Sequence, residues 1–181
     1  MSDVLVVSAT HSEAAHLPAD VDLLVCGIGK VDAAIAVTEA IVTRRPSRVL
    51  NIGTAGALRP ATDGLFVPST VLNHDLSADV LRQLGYPAVD AIEIPGGDGS
   101  VLATGDTFVT DVAVRDLLAE RALLVDMEGF AIAAACQRLG VPFRLVKHVS
   151  DPADGTAMDW PTLVDASARV LGAWVASQLA A

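Results

Sequence analysis

Residues 124–154, LVDMEGFAIAAACQRLGVPFRLVKHVSDPAD, decide how the chain is read. A short apolar run gives way to Asp126 and Glu128, an Ala-rich segment of helical length follows, and a second apolar run ends at Ser150 and Asp151. Gly140 and then Pro142 close the Ala-rich segment, the usual signals for a helix C-terminus. Carboxylates therefore stand at the ends of what read as buried strands.

The same alternation extends outward from this stretch. DVLVVSA (3–9), VDLLVCG (21–27), SRVLNIG (47–53), GLFVPSTVLN (64–73), SVLATG (100–105), ALLVDM (122–127) and PFRLVKHVS (142–150) are β-branched or Leu-rich runs of strand length. Lys30 to Arg45, Val112 to Arg121, Glu128 to Leu139 and Pro161 to Leu179 are Ala/Leu-rich with polar residues to one side, the pattern of surface helices. Strands apolar on both faces that alternate with helices predict an α/β fold with a mostly parallel or mixed twisted sheet flanked by helices. No linker or internal repeat divides residues 1–181, so one domain is expected. The stretch Gly85 to Ser100 has little periodicity and reads as a surface loop, a kind of segment that is often functional.

Composition narrows the function classes. The 181 residues are 52% hydrophobic, enough for a full core, and the formal net charge of -10 with scattered Lys and Arg argues against nucleic acid as partner. No run of about 20 apolar residues passes without a charge, and no basic segment precedes the first apolar run, so a cytoplasmic protein without a membrane partner is expected. Cys26 and Cys136 read as small buried hydrophobes in a reducing compartment.

In open α/β sheets ligands bind beyond the carboxyl ends of strands. Glu13, the Gly27–Lys30 turn, Thr54, Phe108, Glu128 and Asp151 each follow or end an apolar run, which predicts one pocket on that edge. The turn CGIGK lacks the third glycine of a dinucleotide fingerprint and has Val31 where a phosphate-binding loop needs Ser or Thr. It is either a tight strand-to-helix turn or a ligand-contacting loop. The four histidines fall in no metal-binding spacing, so neither a metal nor an organic cofactor is expected. What remains is carboxylate chemistry: Asp151 is a turn aspartate or a partly desolvated proton donor, and Glu128 offsets a helix dipole or binds neighbouring sugar hydroxyls, with Met127 beside it as an apolar face.

Read together, GIGKVDAAIAVTEAI, VLNIGTAGAL, NHDLSADV, TGDTFV, VDMEGFAIAAACQRLGVPF and VSDPAD resemble, in order and from Gly27 to Asp154, the purine nucleoside phosphorylase and nucleosidase superfamily. Within it the chain is most similar to the 5'-methylthioadenosine/S-adenosylhomocysteine nucleosidases. The resemblance implies a nucleoside phosphorylase-like fold, a homodimer, and hydrolysis of a purine N-ribosidic bond. It implies that Asp151 protonates the base with Ser150 orienting it, and that Glu13 activates water. Glu128 would hold the ribose hydroxyls, Met127 would pack on the sugar, Phe108 would stack on the base, and the backbone of Val109 would meet its edge. Thr54 stands where the family has serine, and Asp126 where it has glutamate. Asn51 stands where the related phosphorylases carry a phosphate-binding arginine, which favours water as nucleophile. The segment after IPGGDG is about one helix shorter than in the usual nucleosidases, which leaves futalosine hydrolysis and phosphorolysis as alternatives. A non-catalytic nucleoside-binding protein is the alternative of another class.

Overall fold

The computed structural model describes residues 3–179. Its nine strands are β1 Val4–Ser8, β2 Asp22–Val25, β3 Arg48–Ala57, β4 Leu65–Phe66, β5 Thr70–Asn73, β6 Ala91–Glu93, β7 Val101–Thr104, β8 Leu124–Asp126 and β9 Phe143–Asp151. The helices are α1 Lys30–Arg44, α2 Ala78–Gln83, α3 Val112–Ala119, α4 Gly129–Leu139 and α5 Trp160–Leu179, the last entered through a 3-10 turn at Gly155–Asp159. All strands join one sheet in the order β2-β1-β3-β8-β7-β5-β6, with β9 paired to β3 and β4 to β9.

Strand alternation builds the two layers. In β1, Leu5 and Val7 face α1 and α4 together with Ala33, Val37, Ile132 and Cys136. Val4 and Val6 face the other way, joining Leu50, Ile52 and Val146 against Leu171 and Val175 of α5. A strand buried on both faces needs apolar residues at every position, which is why these runs show no polar alternation.

The sheet is mixed. β1, β2, β3 and β9 run parallel to their neighbours in that group, as do β5, β7 and β8. β8 meets β3 antiparallel, and so do β4 with β9 and β6 with β5. The run at 64–73 is two strands rather than one: Pro68, which cannot donate to a ladder, falls between β4 and β5. The segment 85–100 is not a plain loop, since it carries β6 on the edge of the sheet.

β3 is the longest strand and organises the site. Its first half pairs with β1 and its end, at Gly56 and Ala57, with β8, while β9 runs along the other side. Its register with β9 shifts so that Ala55 faces Val149 but Gly56 faces Asp151, which leaves Ser150 as an extra residue. Such a bulge breaks the alternation of side chains and turns a strand locally. Ser150 and Asp151, which would otherwise point to opposite faces, both reach the same cavity.

Candidate active site

The cavity has a volume of about 330 Å³, the size of a small-molecule site. Glu13, Thr54, Phe108, Val109, Met127, Glu128, Ser150 and Asp151 all line it. They arrive from the loop after β1, the end of β3, the loop after β7, the β8–α4 junction and the end of β9. Glu13, Glu128 and Asp151 are only 4%, 7% and 8% exposed, so each needs partners within the protein.

Glu13 is held by two threonines that each give both donors. Thr54 donates its backbone N–H (2.7 Å) and hydroxyl (2.8 Å) to Oε1. Thr10 does the same for Oε2 at 3.2 and 3.0 Å. Gly53 makes this approach possible, because a Cβ there would lie 3.2 Å from Glu13 Oε1 and 3.1 Å from Lys147 Nζ.

Asp151 accepts from the Ser150 hydroxyl at 2.7 Å and from the Ala153 N–H at 2.9 Å. Its Oδ1 lies beside Gly56, as Glu13 Oε1 lies beside Gly53. Those glycines are three residues apart on β3, so one strand sets the places of both acids along the cavity.

Glu128 precedes the first residue of α4 and accepts the Gly29 N–H at 2.8 Å. Gly29 has φ 93°, a left-handed conformation that glycine adopts without steric cost, so the turn serves both the chain path and a site carboxylate. Burial first, and the nearby Asp126 second, push the Glu128 carboxyl up to about 7. Lys147 and the Gly29 N–H pull in the opposite direction.

Beneath the cavity Lys147 is wholly buried in β9, 2.8 Å from Asp126. Burial disfavours its charge, but Asp126 and then Glu128 outweigh that and hold the ammonium above the ordinary lysine range. Asp126 also accepts from the Thr104 hydroxyl (2.6 Å) and the Gly129 N–H (2.9 Å), which ties β7, β8, β9 and α4 to one carboxylate. On the outer side Lys30 contacts Asn73 and Asp75, and its N–H donates to Asp106 at 2.8 Å, bracing the Gly29 turn against the loop after β7.

Four lining residues carry carboxylates, Glu13, Asp126, Glu128 and Asp151, and none is Lys or Arg. Asn51 is not among the lining residues: its side chain is buried and donates to the Val7 carbonyl at 3.1 Å. At the position of the phosphorylase arginine the chain therefore offers an uncharged side chain committed to β1. Segment 85–100 contributes no lining residue either.

Sequence reasoning missed Thr10, Lys147 and Trp160. Lys147 left a trace, a lysine two residues from core-facing Leu145 in an apolar strand. Trp160 lines the cavity from the start of α5 and donates to the Thr54 hydroxyl at 2.9 Å, a contact between residues 106 positions apart with no local signal.

With this geometry in place, known proteins can be set beside the chain. A family model for the phosphorylase superfamily matches residues 19–95 and 98–175. The 5'-methylthioadenosine/S-adenosylhomocysteine nucleosidase of Halalkalibacterium halodurans is 32% identical over 76% of this chain and 70% of its own length. The nucleosidase of the same name from Chromohalobacter salexigens is 32% identical over 80% and 72%. Among solved structures, that nucleosidase from Helicobacter pylori, bound to butyl-thio-DADMe-Immucillin-A, superposes with a TM-score of 0.88 at 22% identity, covering 99% of this chain and 98% of its own. The native futalosine hydrolase of the same organism gives 0.85 at 22%, covering 98% and 99%. At those identities the structural likeness speaks for the fold.

Proposed function

Because the chain belongs to the phosphorylase superfamily and, within it, to the family of 5'-methylthioadenosine/S-adenosylhomocysteine nucleosidases, we propose that it hydrolyses the N-ribosidic bond of a 5'-substituted adenine nucleoside. It is a purine nucleosidase, an N-glycosyl hydrolase. The observation that carries the mechanism is the pair of buried carboxylates, Glu13 and Asp151, anchored beside two different glycines of β3 in one cavity that Glu128 also lines.

Asp151, steadied by Ser150, delivers a proton to N7 of the purine as the bond from the anomeric carbon to N9 breaks and its electron pair passes to the base. Glu128 binds the ribose 2' and 3' hydroxyls, Met127 packs on the sugar, and Phe108 and Val109 meet the base. A water attacks the anomeric carbon and gives its proton to Glu13, whose position Thr54 and Thr10 fix. The products are free base and free sugar. A phosphate nucleophile is disfavoured, because the lining offers four carboxylates and no Lys or Arg to an anion.

The enzyme is a homodimer in this reading. Exposed Val31 and Ile35 on α1, bordering a groove against Ala134, Ala135 and Arg138 of α4, supply an apolar surface for a second copy. No helix among the described residues is long and apolar enough to cross a membrane. The free, buried Cys26 and Cys136 suit a reducing cytoplasm.

The test is chromatography of free base released from methylthioadenosine, S-adenosylhomocysteine, adenosine, inosine, guanosine and futalosine, with and without phosphate. Phosphate-independent release with free sugar is expected for the first two. Release only with phosphate moves the protein to the phosphorylases, and release from none of them makes it a binding protein.

A further inference from the structure

Trp160 stands where the water side of the cavity and α5 meet. Its indole N–H is a donor only, so at 2.9 Å the Thr54 hydroxyl oxygen must accept from it. A threonine hydroxyl has a single proton, and with one lone pair engaged by the indole that proton points to Glu13 Oε1 at 2.8 Å. Trp160 Nε1, Thr54 Oγ1 and Glu13 Oε1 thus form a directed chain in which each member fixes the next.

The helix that carries Trp160 also braces the loop that carries Glu13. His16 and Asp165 pair at 2.7 Å between that loop and α5. Gly172 of α5 lets the loop come close, since a Cβ there would lie 2.2 Å from the His16 carbonyl oxygen. α5 therefore meets the Glu13 loop directly and the Glu13 carboxylate indirectly through Thr54.

We propose that Trp160 is a positioning residue for hydrolysis, acting through the Thr54 hydroxyl to aim the Glu13 carboxylate at the attacking water. The proposal rests on the hydrolytic reading above. The bland alternative is that the indole only supplies apolar wall, in which case its N–H is dispensable.

Trp160→Phe separates the two, because it keeps most of the ring and removes the N–H. The expected result is a kcat about 5-fold lower, the size of one neutral hydrogen bond, with KM within twofold of wild type and a melting temperature lower by only about 3 °C. In a Thr54→Val background, where no hydroxyl remains to be aimed, adding Trp160→Phe should change kcat no further. An unchanged kcat in Trp160→Phe, or full additivity with Thr54→Val, overturns the proposal while leaving nucleoside hydrolysis intact.

A readout independent of turnover covers a variant that fails to fold. The chain has two tryptophans, so a nitrogen-15 spectrum has two indole signals, assignable with Trp174→Phe. Thr54→Val should move the Trp160 indole proton upfield and speed its exchange with solvent. A signal that stays in place overturns the chain of hydrogen bonds itself. Wild-type protein that releases no base from any nucleoside instead overturns the hydrolytic reading, and with it the positioning role.

Discussion

At one end of the cavity four donors from Thr10 and Thr54 converge on Glu13; at the other, Asp151 receives one hydroxyl and one backbone N–H. Both carboxylates are buried and both lie against a glycine of β3. The number of donors is what separates them. A carboxylate surrounded by four is fixed in direction, as the water-activating role proposed for Glu13 requires. One with two keeps acceptor capacity, as the proton transfer proposed for Asp151 requires. The Glu13 end is thus built into the fold's hydrogen bonding, whereas the Asp151 end depends on the local path of β9.

The sharpest way to break this contrast is Asp151→Asn. The amide can still accept from Ala153 but cannot deliver the proton, so kcat should drop by about 10²–10⁴ with an unchanged circular dichroism spectrum. Wild-type turnover in that variant would remove Asp151 from the mechanism.

Lys147→Met acts beneath the Glu13 end, where Lys147 Nζ and Glu13 Oε1 both lie beside Gly53. It leaves Asp126 buried beside Glu128 without its cation, and losing one partner of a buried pair costs about 3–5 kcal/mol. At this chain length that corresponds to a melting temperature lower by about 10 °C, read by calorimetry. A shift near zero would show that Asp126 finds other compensation.

Stability should also register the difference between the ends themselves. Glu13→Ala orphans the donors of Thr10 and Thr54 and should cost about 1–3 kcal/mol, more than Asp151→Ala, measured by urea unfolding of both. Equal losses would erase the distinction drawn from the hydrogen bonds.

The smallest effect belongs to Glu128 at the start of α4. With its carboxyl raised to about 7, mainly by burial, it is neutral below that pH and ionised above it. Sugar hydroxyls donate better to the anion, so KM should fall several-fold as pH rises from about 6 to 8. The stability sign is opposite. The folded state favours the protonated form, so this contribution is fully present below the ordinary 4.5 and is lost as pH rises through about 7. Glu128→Gln should flatten both trends; a KM that still follows pH in that variant would assign the titration to another group.

How much of this could be read in the chain differs by level. The α/β class was legible because runs such as VLVV, residues 4–7, are apolar at every position and alternate with helices. Glu13, Thr54, Phe108, Glu128 and Asp151 were legible as polar or aromatic groups at run ends, with Met127 and Ser150 beside them, whereas Val109 came only with the family resemblance; all eight line one cavity. Pairing was not legible. The antiparallel meeting of β3 with β8 rests on contacts far apart in sequence, and the split at Pro68 was passed over because Leu, Phe and Val on one side and Thr, Val and Leu on the other read as one run. Segment 85–100 was misread because β6 is a three-residue edge strand with two exposed positions, too short for a periodic signal. Trp160 is silent in sequence because its importance lies in a partner on β3.

The extra residue in β9 makes Asp151 a matter of counting as well as of chemistry. A pleated strand sorts its side chains by parity, odd to one face and even to the other. Ser150 and Asp151 share a cavity only because the strand is one residue out of phase there. Deleting Val149 would restore the parity and turn one of the pair away, although both Ser150 and Asp151 would still be present in the chain. No point substitution could repair that loss, whereas reinserting any residue that tolerates the bulge should. The place of Asp151 in the cavity is encoded by length, and a search for lost activity among relatives should look for single-residue gaps in this strand before it looks for a missing aspartate.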